Sequence, residues 1–325
     1  MKKVIFALAA VVALAACSNE ETIVRQDREA IDFNNLFVNN STRAIDGSYS
    51  NDNMPASFNV YGTTQGDETD ATVVTIFNGV VVENTNGVWD YADDYVQYWI
   101  DGNTYNFAAV VNGTIANDKT ISYTADGTTD LLYAVNKFGK YIKGTSATTV
   151  PFEFSHLLSK AMFTVENTIT TNTTDNAYTY EVTDVKITNV YPNGVYDITK
   201  FGVETENGWI VSGTRKELSF GHVSNATNTE DAVDAIAITG GASATSRYSR
   251  LLVPNAYTDL NVTCTITTLL NGEVVNVVDY DNTIATTFEE GKAYNLVLSL
   301  GNPGEEIKFT CTGVKDWTNV SDTDM

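Results

Sequence analysis

Short apolar segments separated by turn residues recur along most of the chain. Runs rich in Val, Ile, Thr, Tyr and Phe occupy residues 58–61, 73–77, 105–111, 178–190, 261–269 and 294–300. Apolar and polar residues alternate in several runs, as at Val262, Cys264 and Ile266, and this period of two is typical of half-buried strands. At most one helical turn is indicated, around residues 157–162. The pattern predicts an all-β protein of the sandwich type.

Asn-Gly and Asp-Gly pairs mark the predicted turns between these strands. Both pairs tolerate the positive φ angles of tight hairpin turns. They occur at residues 46–47, 78–79, 86–87, 101–102, 112–113, 126–127, 193–194, 207–208 and 271–272. Their density predicts short strands joined by hairpins.

The first 17 residues have the organisation of an export signal. Lys2 and Lys3 precede an apolar run that is shorter than the roughly 20 residues needed to span a bilayer. Residues 14–17, LAAC, resemble the bacterial lipobox. We therefore predict lipidation of Cys17, with acyl chains as the attachment to the outer membrane. The alternative is an ordinary signal peptide in which Cys17 occurs by chance.

The length of 325 residues predicts two domains. Residues 18–43 are polar and form a tether or propeptide with one candidate strand at 31–38. A Gly/Thr/Ser-rich stretch ends near residue 150, which favours a boundary at about residue 155. We predict an N-terminal β-sandwich at 44–155 and a C-terminal β-sandwich at 156–325.

Acidic residues outnumber basic ones 41 to 19, so the formal charge is -22. Such a polyanion is repelled by nucleic acid and by anionic lipid, and neither is predicted as a partner. The chain has only two histidines and three cysteines. This leaves few ways to build a zinc site or a histidine-assisted nucleophile. No enzyme activity, metal or cofactor is predicted.

Three acidic residues, Asp90, Asp93 and Asp94, lie close together in the sequence. Carboxylates of this kind can bind calcium, but the EF-hand spacing and its closing Glu are missing. A solvated acidic loop is the favoured interpretation.

Two further features carry weaker signals. His156 has no nearby cysteine or second histidine, so a structural, hydrogen-bonded role is favoured, and His222 is still less informative. Gly240-Gly241 lacks the lysine of a phosphate-binding loop.

Aromatic and sulfur-containing residues admit two interpretations each. The tryptophans could form a sugar-stacking platform, but packing in the core is favoured; they are Trp89, Trp99, Trp209 and Trp317. Alternation predicts that Cys264 and Cys311 both face the core. A disulfide between them and two buried free thiols both remain open.

Ordered motifs extend from the lipobox almost to the C-terminus. They are STRA at 41–44, FNVYG at 58–62, IFNGVVVENTNGVWDYADDYVQYW at 76–99, YNFAAV at 105–110, DLLYA at 130–134, FEFSHLLSKAMFTVEN at 152–167, LLVP at 251–254, FEEGKAYNLVLSL at 288–300 and IKFTCTGVKDW at 307–317. In this order they resemble the fimbrillins, the lipoprotein-precursor pilins of type V fimbriae. One departure is that YNFAAVVNGT lacks the aromatic-rich end and proline expected after that strand.

The resemblance implies two transthyretin-like β-sandwich domains in tandem and no enzyme activity. It also implies a cell-surface location at the outer membrane and in a fimbrium, and assembly with other fimbrillin subunits. An Arg-specific protease is expected to cut between Arg43 and Ala44. Arg25 and Arg28 are alternatives, but cutting there would spare the strand candidate.

Loss of the first strand would open an apolar groove that a strand of a neighbouring subunit fills. The candidate donor is the C-terminal segment with Ile307, Phe309, Cys311, Val314 and Trp317. Alternatively, this segment is the closing strand of its own domain. In that case the donor would be residues 318–325, or the protein would be a tip that donates nothing.

Two other functions stay open on the sequence. One is an anchor or accessory fimbrillin that keeps its lipid. The other is a surface glycan-binding lipoprotein.

Overall fold

The computed structural model of the protein describes residues 28–34, 36–38, 53–170, 177–203, 207–224, 235–246 and 248–316. Within these ranges the regular structure is almost entirely β, and the helices are the one-turn 3-10 helices Asp93–Tyr95 and Ile198–Lys200. The predicted all-β fold is therefore confirmed. No helix in the described part of the chain is long and apolar enough to cross a membrane.

The described residues form 22 strands. In chain order they are β1 (Asp32–Phe33), β2 (Phe37–Val38), β3 (Ser57–Gln65), β4 (Val73–Thr85), β5 (Val88–Asp90), β6 (Thr104–Val111), β7 (Thr120–Thr124), β8 (Leu132–Lys140), β9 (Thr149–Val150), β10 (Glu153–His156), β11 (Ser159–Asn167), β12 (Tyr178–Val190), β13 (Asn193–Asp197), β14 (Trp209–Ser212), β15 (Lys216–Gly221), β16 (Val223–Ser224), β17 (Ser243–Ser246), β18 (Arg250–Leu252), β19 (Asn255–Leu270), β20 (Glu273–Phe288), β21 (Lys292–Leu300) and β22 (Lys308–Asp316).

These strands form five sheets of different size. The largest has seven strands in the order β2-β10-β8-β6-β3-β4-β5, and a six-stranded sheet has the path β16-β17-β11-β21-β22 with β18 paired to β11. The others are the four-stranded sheet β15-β12-β19-β20, the three-stranded sheet β14-β13-β7 and the pair β1-β9. Strand order differs from chain order, so the topology contains crossovers.

Two compact units can be distinguished. Unit 1 comprises the described residues of Met1–Leu36, Val60–Ala109 and Val135–Phe152, and unit 2 comprises those of Phe37–Asn59, Val110–Ala134 and Glu153–Met325. Strands β3, β6 and β8 contribute residues to each. The division of the sequence at residue 155 stays a prediction.

Unit 2 contains a two-sheet sandwich. Buried side chains of β11 and β21, from the six-stranded sheet, share one apolar cluster with those of β12 and β19, from the four-stranded sheet. In β12 and β19 the buried positions alternate with more exposed ones, as expected for strands with one face on a core.

Residues 157–162, where the sequence indicated at most one helical turn, instead lead into β11. The first seven residues of β11 are all buried. The strand lies between β21 on one side and β17 and β18 on the other. Successive side chains of a strand point to opposite faces, so burial of seven in a row means that both faces of β11 are covered. A strand buried on both faces lacks the alternation that identifies half-buried strands, so the pattern alone could not separate it from a helix.

Two of the predicted turns lie inside strands. Asn78-Gly79 belongs to β4, and Asn193-Gly194 belongs to β13, where Gly194 is paired with Val211. Asn86-Gly87 and Asn271-Gly272 do form hairpin turns with positive φ at both residues, before β5 and β20 respectively.

Candidate functional site

The N-terminal segment lies along unit 1 as an added strand. In the parallel pair β1-β9, Asp32 is opposite Thr149 and Phe33 is opposite Val150. The Ile31 N–H donates to the Gln97 carbonyl, and the Trp99 N–H donates to the Glu29 carbonyl, each over 2.9 Å. The segment that precedes Arg43 is thus joined to unit 1 by backbone hydrogen bonds.

Phe33 fills a site in the aromatic core of unit 1. Its side chain is 2% exposed, and Ile31 beside it is fully buried. Four rings surround Phe33 at centroid distances of 5.4 to 6.1 Å; they belong to Phe77, Tyr91, Phe107 and Phe152. A core position of this unit is therefore occupied by the N-terminal segment.

Two tyrosine hydroxyls donate to the same segment. Tyr91 donates to the Ile31 carbonyl over 2.6 Å, and Tyr141 donates to the Glu29 carboxylate. Burial raises the pKa of each phenol to about 12, with the Glu29 charge contributing at Tyr141. Both phenols therefore stay protonated and keep donating at neutral pH.

The Asp32 side chain opposes the docking of β1 on unit 1. Burial, followed by the negative charge of Asp90, raises the pKa of its carboxyl group. An ionised Asp32 is consequently less stable in this position than in water, which weakens the docking of β1.

The second short strand, β2, lies in unit 2. It pairs in parallel with β10, with Phe37 opposite Glu153 and Val38 opposite Phe154. Val38 is 1% exposed, whereas Phe37 is 56% exposed. The candidate strand at 31–38 thus forms two short strands, β1 and β2, and each has one buried and one exposed residue.

The C-terminal strand β22 lies at the edge of the six-stranded sheet. It pairs antiparallel with β21, where Phe309 is opposite Leu298 and Cys311 is opposite Leu296. Ile307 and Phe309 are half-buried against the core of unit 2. In this structure β22 is therefore a closing strand of its own domain, which is the alternative to strand donation that the sequence left open.

Several predicted site residues lie outside the described residues. They are Cys17, Arg43, Ala44 and Trp317, and the side chain of Val314 joins them although its backbone belongs to β22. Lipidation, proteolytic processing and strand donation therefore stay predictions.

The two described cysteines have different environments. Cys264 is buried and free, and burial raises the pKa of its thiol to about 12. Cys311 is also free, and it lies opposite the buried Leu296 on the core side of its sheet, but it is exposed. The expectation of a buried thiol is therefore wrong for Cys311. Alternation assigns Cys311 to the same strand face as Phe309, but it does not show how far the facing sheet covers that face.

The acidic triplet, His156 and the Gly240-Gly241 pair have surroundings typical of structural residues. Asp90, Asp93 and Asp94 are exposed, and the described residues contain no group of three or more acidic, histidine or cysteine side chains placed to hold a metal ion. The His156 Nδ1 lies 2.8 Å from the Asp130 Oδ2, with both side chains buried. Gly240-Gly241 forms a turn before β17.

The described tryptophans pack mainly inside the protein. Trp99 is 4% exposed and stacks on Tyr141 at 4.8 Å, and its indole N–H donates to the Thr148 carbonyl. Trp209 is 5% exposed and donates to the Leu157 carbonyl, while Trp89 is half-buried. This favours a packing role over an exposed stacking platform.

The residues that receive Phe33 were not identified from the sequence. Alternation in β4 and β6 indicates that Phe77 and Phe107 face inward. It does not indicate which core they share with residue 33, because that contact joins distant parts of the chain.

The structure is that of an all-β protein in which an N-terminal strand supplies a side chain to the core of unit 1. The model of the fimbrillin-like family matches residues 42–317. The chain therefore belongs to the fimbrillin-like family, and the resemblance predicted from its motifs is confirmed.

Solved structures share the fold at low sequence identity. A fimbrial protein from Bacteroides vulgatus is 15% identical, with 90% of this chain and 100% of that chain covered and a TM-score of 0.62. A candidate cell adhesion protein from Bacteroides ovatus is 19% identical, with 89% and 97% covered and a TM-score of 0.52. No curated protein sequence matches the chain.

Proposed function

We propose that this protein is a non-enzymatic structural subunit, in the shaft or at the tip, of cell-surface fimbriae. It polymerises when its N-terminal strand is replaced by a strand from a neighbouring subunit, and the fimbria supports adhesion. Membership of the fimbrillin-like family supports this role. The single observation that carries the mechanism is the burial of Ile31 and Phe33, on a segment upstream of Arg43, within unit 1.

The proposed sequence of events begins at the membrane. Acyl chains on Cys17 hold the precursor on the outer membrane, and an Arg-specific protease then cuts between Arg43 and Ala44. Strands β1 and β2 both precede this bond. One cut therefore separates them from the rest of the chain.

Release of the segment would leave partners unsatisfied. Phe33 would vacate a site lined by four aromatic rings, and the Gln97 carbonyl and the Trp99 N–H would lose their backbone partners. Exposed apolar surface beside unpaired backbone groups favours addition of a strand from another chain.

The incoming strand must present apolar side chains at alternate positions, as Ile31 and Phe33 do. Ile307, Phe309 and Cys311 have this spacing, and Val314 and Trp317 extend the same segment. Since β22 pairs with β21 in its own sheet, donation requires that it leave this edge position. An edge strand has one strand neighbour to lose rather than two.

Net charge does not drive this assembly. Residues 1–43 contain five bases and five acids, namely Lys2, Lys3, Arg25, Arg28 and Arg43, and Glu20, Glu21, Asp27, Glu29 and Asp32. Cleavage therefore leaves the formal charge at -22. The driving force must come from burial of the exchanged strand.

The test compares four purified chains after treatment with an Arg-specific protease. They are the wild type, Arg43→Ala, Arg28→Ala as a matched control, and a chain truncated after Gly304. Only cleaved wild type and Arg28→Ala are expected to form polymers that resist mild detergent. Polymers of Arg43→Ala would contradict the cleavage gate, and polymers of the truncated chain would contradict donation by residues 305–317.

Protein from sheared surface fibres provides a second measurement. Ala44 is the N-terminal residue expected of a processed subunit. An acylated Cys17 in that position would instead identify a lipid-retaining anchor or accessory protein.

A further inference from the structure

The C-terminal segment repeats the anchoring residues of the N-terminal segment. Residues 29–38 read EAIDFNNLFV, and residues 305–314 read EEIKFTCTGV. Aligned without a gap, the two segments are identical at four positions, which pair Glu29 with Glu305, Ile31 with Ile307, Phe33 with Phe309 and Val38 with Val314.

The four matched positions are those through which the N-terminal segment is held. The three apolar residues among them are 2% exposed or less. The fourth, Glu29, accepts the hydrogen bond from the Tyr141 hydroxyl. The described residues that differ between the segments are partly or fully exposed; they are Ala30, Asp32, Asn34, Leu36 and Phe37. The match therefore follows the buried positions and not the sequence as a whole.

We call the space that Phe33 fills the Phe33 site, and it has the size of one phenyl ring. An added Cβ on Gly62, a buried residue of β3, would come within 2.8 Å of the Phe77 ring and 3.0 Å of the Phe107 ring. Both rings are buried and border the site, so its lining is already close-packed. A phenylalanine of an incoming strand therefore fits, whereas a tryptophan is too large and a smaller side chain leaves a cavity.

One difference between the segments reverses a charge beside β5. Strand β1 lies against β5, whose last residue is Asp90. The negative charge of Asp90 disfavours the ionised form of Asp32 and raises the pKa of that carboxyl group in addition to the effect of burial. The C-terminal segment has Lys308 at this position, so a repulsion becomes an attraction. Glu306 takes the place of Ala30, which is partly exposed, and its charge can therefore stay in solvent.

The C-terminal segment is also less buried in its own sheet than the N-terminal segment is in its place. Ile307 and Phe309 are half-buried on β22, whereas Ile31 and Phe33 are 0% and 2% exposed. A move of the C-terminal residues into these positions removes further apolar surface from water.

We propose that residues 305–314 of a second copy of this chain take the place of residues 29–38 in one fixed register. Phe309 of the second copy enters the Phe33 site, Ile307 takes the position of Ile31, and Lys308 lies beside Asp90. This inference rests on the proposed strand exchange and adds its register and the reason for its direction. Both segments present the same anchors, but only the N-terminal one brings a like charge to Asp90.

The test is a competition assay on the full chain, cut with an Arg-specific protease in the presence of a fluorescein-labelled peptide of residues 305–314. Unlabelled peptide of the same sequence should compete about three- to tenfold better than its Lys308→Asp variant. The Phe309→Ala peptide should compete more than about tenfold worse, because it leaves a cavity in the Phe33 site. The matched control is the Thr310→Ala peptide, altered at the place of the exposed Asn34, which should compete equally.

Variants of the full chain locate the charge contact. Asp90→Asn should remove the difference between the wild-type and Lys308→Asp peptides. Asp70→Asn, at an exposed acid elsewhere in unit 1, should preserve it. Melting temperatures of the uncleaved variants show that both chains still fold.

Two results would overturn the proposal. Equal competition by the Phe309→Ala peptide contradicts the register, and a charge preference that is absent or unchanged by Asp90→Asn contradicts the contact with Asp90.

The same assay separates this proposal from the proposed function. A cleaved chain that polymerises but does not bind excess peptide contradicts the register and retains strand exchange. A cleaved chain that binds the peptide in this register but forms no polymers contradicts the role as a polymerising subunit and retains the register.

Discussion

The hydroxyl group of Tyr91 donates a hydrogen bond to the backbone carbonyl of Ile31 over 2.6 Å. The ring of the same tyrosine packs against Phe33 and Phe77. One side chain that follows β5 therefore binds both the backbone and the aromatic anchor of the N-terminal segment. Every one of these contacts is non-covalent, as the proposed exchange of this strand requires.

Replacing Tyr91 with Phe is expected to loosen this segment without emptying the core. The ring stays, but the buried Ile31 carbonyl loses its partner, at a cost of about 1–3 kcal/mol. Hydrogen exchange of the Ile31 and Trp99 amides measures the effect directly. Tyr95→Phe, which alters an exposed ring in the same unit, is the control and should leave exchange unchanged.

Replacing Phe33 with Ala is expected to cost about 3–5 kcal/mol, because it leaves a cavity among four rings. Phe37→Ala provides a matched comparison on the neighbouring strand, where the ring is 56% exposed, and should change stability by about 0.5 kcal/mol or less. Urea unfolding of the uncleaved chains gives both values. Equal effects of the two variants would contradict the assignment of Phe33 as the anchor.

Replacing Trp99 with Ala is expected to lower stability by about 3–5 kcal/mol. Its ring stacks on Tyr141 and its indole N–H donates to the Thr148 carbonyl. Trp99→Phe keeps an aromatic ring and loses the hydrogen bond, so its cost should be smaller. An intact melting temperature for Trp99→Ala, together with loss of glycan binding, would instead support a sugar-binding protein.

A half-buried carboxyl group in unit 2 should make stability depend on pH. Desolvation raises the pKa of Glu290 from 4.5 to about 7, against the lowering effect of the hydrogen bond from the Tyr196 hydroxyl. The folded state therefore holds this proton more tightly than the unfolded state. The contribution is complete below about pH 4.5 and is lost as pH rises through about 7.

The amplitude is at most about 3 kcal/mol. Glu290→Gln should abolish this part of the pH dependence, whereas Glu289→Gln, at an exposed neighbour, should retain it. The measurement is the difference in free energy of unfolding between wild type and each variant across this pH range. A difference that does not change with pH would refute the assignment.

Alternation and turn chemistry were sufficient for the all-β class and for many individual strands. Residues 178–190 were predicted as a strand and form β12 with the same bounds. The Asn271-Gly272 turn was likewise identified from two residues whose positive φ angles follow from their own chemistry. These features are local, so local sequence determines them.

Gly194 shows where local sequence is insufficient. Its Asn-Gly pair predicted a turn, yet it lies in β13, where an added Cβ would come within 2.6 Å of the Trp209 ring and 2.7 Å of the Val253 side chain. Glycine is required there for close packing rather than for a positive φ. An Asn-Gly pair reads the same in the sequence whether it forms a turn or lies within a strand, so the sequence alone does not separate the two.

The sequence by itself determined the period-two strands, the turn residues, the charge of the chain and the ordered motifs of the fimbrillin-like family. Only the tertiary structure decided that Phe33 lies among Phe77, Tyr91, Phe107 and Phe152, and that β1 lies against β5. The physical reason is that alternation assigns a side chain to one face of its strand. The partner on that face is set by strand order and register, which join residues far apart in the chain.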